Sequence, residues 1–150
     1  KQEYHGVVKC ALGWACWKTY LGRPEAALPR RLAMNELGNG LTNAKHHEDA
    51  LSVREAQLAT MERVGDSPHN IIAMQGNLAS TFEMIGRCNE AQRIWRDNYS
   101  GTLRLYGEEH EETLNAANNY ALSLKGLSRF EEAKSLLRRT VPVARRALGE

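Results

Sequence analysis

Residues 65–79 read GDSPHNIIAMQGNLA, and residues 107–121 read GEEHEETLNAANNYA. The two stretches lie 42 residues apart. Few identities are shared, yet a glycine opens each and Asn-x-Ala closes each. A phrase that returns at an interval of this size is the mark of a repeat architecture. The phrases TYLG, ERVG, RLYG and RALG end in Gly22, Gly65, Gly107 and Gly149, at spacings of 43, 42 and 42. Between them HHEDA, RCNEA and RFEEA place Ala50, Ala91 and Ala133. The shorter step of 41 from Ala50 to Ala91 predicts one residue fewer in the helix after Ala50.

Each unit reads as two helices. In EETLNAANNYALSLKG, the residues Leu114, Ala117, Tyr120, Ala121 and Leu124 fall on one helical face. In FEEAKSLLRRTVPVARRALG, Ala133, Leu136, Leu137, Thr140, Ala144 and Ala147 do the same. Gly149 suits a left-handed C-cap, and Arg145 and Arg146 complement the negative end of that helix. Glu111 and Glu112 stand where the next helix begins, on the favourable side of its dipole. Pro142 lies inside the last periodic run, which continues beyond it through Ala144, Ala147 and Leu148, so a helix that persists with a bend is predicted. No segment alternates with period two, so no sheet is expected.

A helix pair of this kind cannot bury its apolar face alone, whereas stacked neighbours can. The predicted fold is therefore all-α, a right-handed α-solenoid. A lone helix at about 7–21 precedes helix pairs at roughly 25–64, 69–106 and 111–148, about three and a half repeats in all. Residues 1–150 are taken as one domain. The start at Lys1 and the stop at ALGE suggest a piece of a longer array.

Composition narrows the function classes. The chain has 150 residues, of which 42% are hydrophobic, enough for a core. Twenty Lys and Arg against 18 Asp and Glu leave a net charge of +2, too balanced to point to nucleic acid or to an anionic membrane as partner. The most apolar stretch, VVKCALGWACWKTYL, is 15 residues long and carries Lys9 and Lys18, too short and too charged to span a bilayer. Cys10, Cys16 and Cys88 form no Cys-x-x-Cys pair, so neither a disulfide framework nor a zinc site is suggested. They read as packing residues in a reducing, cytoplasmic compartment. No phosphate loop, His-Glu-x-x-His or paired-carboxylate signature appears, so no cofactor, metal or catalytic residue is expected. His46 and His47 are adjacent and point to different sides of a helix. His69 and His110 are expected to cap helices in the turns between units. Trp14, Trp17 and Trp95 are expected in helix cores, and the basic run RRTVPVARR on an outer, solvated face.

These units resemble tetratricopeptide repeats. Gly38, Ala79 and Ala121 stand at the small position late in the first helix, and Ala50, Ala91 and Ala133 at the alanine early in the second. Leu37, Leu78 and Tyr120 fill the large apolar position before the small one. The 42-residue period is similar to the kinesin-light-chain type, whose pattern Gly107, His110, Thr113, Leu114, Asn118, Asn119 and Ala121 follow. The middle unit departs from it at Pro68 and Gly76, and the first at Glu36.

The resemblance implies that the first helix of each pair lines a concave groove. That places Asn35, Glu36 and Asn39, then Asn77 and Ser80, then Asn115, Asn118 and Asn119 on the binding face. An amide offers both a donor and an acceptor, so it can pair with a peptide backbone of any sequence. The competing reading is hydrogen bonding between helices that fixes the stack. A carboxylate clamp would need more cations on these helices than Arg30, Arg31 and Lys125. The expected function is a non-enzymatic scaffold for a protein or peptide segment. A spacer, or a regulatory segment beside an activity located elsewhere, is the alternative, and self-association through exposed repeat ends is a further expectation.

Overall fold

The computed structural model describes residues 2–20, 22, 24 and 28–149. Leu21, residues 25–27 and the side chains of His5, Cys16 and Leu148, all named above, lie outside the described residues. The described elements are α1 (Gln2–Tyr20), α2 (Leu28–Asn43), α3 (His47–Arg63), α4 (Pro68–Met84), α5 (Cys88–Tyr106), α6 (Glu111–Gly126) and α7 (Phe130–Leu148). No strand occurs among the described residues. Helices α2 to α7 fall in the sequence windows where the period places helices. Helix α1 begins well before the expected start near residue 7. Helix α3 has 17 residues against 19 in α5 and α7, shorter as expected but by two residues where the step after Ala50 predicts one. Helix α7 passes through Pro142 without a break.

The chain divides into two compact units, Lys1–Ile85 and Gly86–Glu150. The division falls inside the sequence pair 69–106, between α4 and α5.

In the first unit α1 packs on α2, α2 on α3 and α3 on α4. The core holds Met34, Leu37, Ala50, Leu51, Met61, Met74, Leu78 and Phe82. The contact between α1 and α2 is unusually close. A Cβ on Gly40 would stand 2.5 Å from the Cys10 backbone nitrogen, and one on Gly13 2.7 Å from that of Leu37. Glycine is what lets two helix backbones approach this far. The same geometry overturns one expectation. The α1 face against α2 is built of Gly6 and Gly13, so the bulky side chains of α1 turn outward, and Trp14 is 51% exposed rather than in a core. Lys18 lies over its ring at 5.6 Å, and Trp17, half-buried, meets Arg30 of α2 at 4.9 Å. Arg31 of α2 pairs with Asp66 at 2.6 Å, tying α2 to the turn before α4. It is a close ion pair, not an aligned hydrogen bond. Asp66 also accepts from the Asn70 amide at 2.8 Å and from the Ser67 backbone at 2.7 Å. The Asn70 bond foremost, then Ser67 and the charge of Arg31, holds its carboxyl below the usual range, against a desolvation that raises it.

In the second unit α5 packs on α6 and α6 on α7. Trp95, Ala91, Ala116, Ala117, Ala121, Leu124, Ala133, Leu136 and Val143 are buried. Tyr99 of α5 stacks on Tyr120 of α6, ring centroids 6.3 Å apart. His110 caps α6 as expected, its Nδ1 accepting from the Glu112 backbone at 3.2 Å, and its ring stacks on Tyr106 at 4.6 Å. The matching expectation for His69 fails: Ser67 is the cap of α4, accepting from Asn70, and His69 lies within the first turn of the helix. Proline at the first position cannot cap, and it passes that role to the hydroxyl before it. On α7 the expected stripe is only part buried, because Leu137 and Ala147 are exposed.

The turns inside the pairs repeat as well. Lys45, Gly86 and Ser128 occupy one repeat position, and all three have positive φ, at 64°, 80° and 59°. Gly149 closes α7 in the left-handed conformation, as read from the sequence.

Candidate functional site: the asparagine faces

Asn35 and Asn39 are one helical turn apart on α2, and Asn77 and Ser80 share a face of α4. These four belong to the first unit. Asn77 and Glu36 are exposed, and Asn35, Asn39 and Ser80 are half-buried. In the second unit Asn115 and Asn118 are exposed on α6, and Asn119 is half-buried.

What joins α2 to α4 is a residue that the sequence reading passed over. Arg54, on α3, is only 7% exposed. Its Nη2 donates to Asn39 Oδ1 at 3.0 Å. Its Nη1 donates to the Asn77 carbonyl oxygen at 2.7 Å and to the Thr81 hydroxyl. The Thr81 hydroxyl in turn donates to the Asn77 carbonyl at 2.9 Å. Burial pushes the Arg54 pKa down from its ordinary value. The charge is nonetheless spread over three oxygen acceptors, the condition under which a buried cation is tolerated.

Arg54 therefore brings Asn39 and Asn77 together but treats them differently. The Asn39 side chain is spent on the strut, as the competing reading required for that residue. Asn77 lends only its backbone carbonyl, and its amide side chain remains exposed. A sequence signal for Arg54 did exist. It stands 41 residues before Trp95, the same step that separates Ala50 from Ala91. An arginine where the next repeat buries a tryptophan asks for polar partners within reach.

The arrangement holds donors and acceptors on rigid helices. The model of the tetratricopeptide repeat family matches residues 70–146. The chain belongs to the tetratricopeptide repeat family. Members of this family are in general non-catalytic scaffolds for protein interactions. Two solved structures share its fold. One is BtubC (BKLC) from P. vanneervenii, with a TM-score of 0.72 and 16% identity over 97% of this chain and 57% of that one. The other is the Rap protein complexed with Competence and Sporulation Factor, with a TM-score of 0.76 and 15% identity over 96% of this chain and 40% of that one. This tetratricopeptide chain thus spans little over half the length of the first and less than half of the second. At such identities the likeness concerns the fold alone, an all-α helical-repeat solenoid. No curated protein matches the sequence. No helix among the described residues is long and apolar enough to cross a membrane.

Proposed function

We propose that this tetratricopeptide chain is a non-enzymatic scaffold that holds a protein or peptide segment on the asparagine-bearing faces of its first helices. The observation that carries the reading is the Arg54 strut. It fixes the Asn77 backbone and leaves the Asn77 amide exposed, so a hydrogen-bonding group is preorganised and unspent. Within the first unit Asn35 and Ser80 extend the set, with Asn39 held by Arg54, and in the second unit Asn115, Asn118 and Asn119 form a face of their own on α6. The amides meet the backbone of the bound segment, and neighbouring apolar positions choose its side chains. The Rap protein, whose structure is a complex with Competence and Sporulation Factor, is in keeping with such a use of the fold.

The test uses peptides selected on the wild-type chain from a random display library. Asn77→Ala and Asn119→Ala should each weaken the selected peptides by roughly 1–2 kcal/mol, the scale of one buried hydrogen bond left unmade. Melting temperature should hold. Unchanged affinity in both variants, with a lowered melting temperature, would return these residues to a structural role and favour the spacer reading.

A further inference from the structure

Of the starts of α3 to α7, only that of α6 is capped by a titratable side chain. Helices α3, α5 and α7 follow His46, Arg87 and Arg129, whose side chains make no capping bond. Helix α4 is capped by the Ser67 hydroxyl, which is an acceptor at any ordinary pH. Helix α6 is capped by an imidazole, His110, whose Nδ1 accepts from the Glu112 backbone at 3.2 Å.

The first turn of α6 depends on this residue twice. The His110 carbonyl accepts from the Thr113 and Leu114 amides at 3.0 and 3.1 Å, and its ring takes the Glu112 amide. Its backbone is extended, with φ −73° and ψ 139°, as a capping residue requires. Tyr106, at the end of α5, holds the ring in place, the two planes 23° apart with centroids at 4.6 Å.

A backbone N–H can only donate, so Nδ1 must present its lone pair and the capping ring must be neutral. Protonation fills that lone pair. Two N–H groups then face each other across the former bond, and the new positive charge lies at the positive end of the α6 dipole. The charged and titratable groups around the ring are the Tyr106 phenol of α5, Glu108 and Glu109 of the turn, and Glu111 and Glu112 of α6. Arg146 of α7 reaches Glu108 and Glu109 at 3.8 Å each. The four carboxylates draw an imidazolium towards themselves and away from the amide, with Arg146 competing for the first two. Imidazole is the side chain that ordinarily changes charge between about pH 5 and about pH 8.

We infer that His110 is a pH-sensitive cap, which holds the first turn of α6 when its ring is neutral and releases it when the ring is protonated. That turn contains Thr113, 2% exposed, and leads into Asn115, so acid loosens the N-terminal end of the α6 asparagine face. The consequence for binding rests on the use proposed above for that face, whereas the switch itself does not.

Amide hydrogen exchange of Thr113 and Leu114, corrected for the intrinsic effect of pH on exchange, reads the turn directly. Between about pH 8 and about pH 5 their protection in the wild-type chain should fall roughly fivefold, the weight of one lost cap. His110→Asn is the decisive variant, because asparagine caps well and does not titrate, so its protection should stay high at both values. His110→Ala should show the low protection at both. Equal protection at the two values in the wild-type chain would overturn the inference. The same fall in His110→Asn would overturn it as well, by assigning the effect to the surrounding glutamates or to another histidine.

Discussion

Replacing Gly40 by alanine sets two effects of known size against each other. Within a helix, alanine is favoured over glycine by about 1 kcal/mol. Against that gain, the new methyl would lie 2.5 Å from the Cys10 nitrogen and 2.8 Å from the Cys10 Cα. Ordinary carbon contacts lie near 3.5–4.0 Å, so α1 must retreat by roughly 1 Å and lose a good part of its dispersion contact. The obstacle is backbone, which cannot rotate aside as a side chain would, and overpacking of this kind costs about 1–3 kcal/mol. The net expectation is a loss of up to about 2 kcal/mol, confined to the α1–α2 contact. Amide hydrogen exchange reads this locally, without requiring that the chain unfold in one step. Protection in α1 should fall by about tenfold, while α6 and α7 stay unchanged. Gly126→Ala is the control, because a Cβ there meets nothing within 4 Å. That variant should be neutral or gain a few tenths of a kcal/mol. Gly40→Ala with α1 protection at or above wild type would refute the argument.

The Arg54 strut makes a further distinction testable by thermal melts: Asn39→Ala should cost about 1–2 kcal/mol by leaving part of a buried guanidinium unpaired, and Arg54→Ala about 3 kcal/mol or more, whereas Asn77→Ala should cost little. The depressed pKa of Asp66 means that its stabilising contribution is present above the unfolded carboxylate value near 3.9 and is lost as pH falls through the lower folded value. Asp66→Asn should therefore be less stable than wild type at neutral pH, and the gap should close in acid denaturation scans below about pH 4. Ser128 holds a φ of 59° where the preceding repeat has Gly86 at 80°, so Ser128→Gly should stabilise by about 1 kcal/mol in urea denaturation, and Gly86→Ser should lose a similar amount.

The sequence by itself determined the period, the helix pairs and most helix ends, because these are written in local physics. Apolar spacing at three and four residues, a glycine able to take positive φ after α7, and a His110 side chain within reach of its own backbone all act within a few residues of one another. The alanines at 50, 91 and 133 mark positions buried to 0%, 0% and 7%, and their register needed no coordinates. The placing of each candidate asparagine on its own helix was legible for the same reason. Which of them is spent was not. Asn39 is engaged by an arginine 15 residues away, while that arginine leaves the Asn77 amide untouched 23 residues away, and no pattern within one helix encodes that choice. Trp14 and Leu137 make the same point from the apolar side. Periodicity says that a residue belongs to a stripe, but only the neighbour packed against that stripe decides whether it is buried. On α1 the contact with α2 is made through glycine, which leaves Trp14 exposed, and on α7 Leu136 is buried while its neighbour Leu137 is exposed.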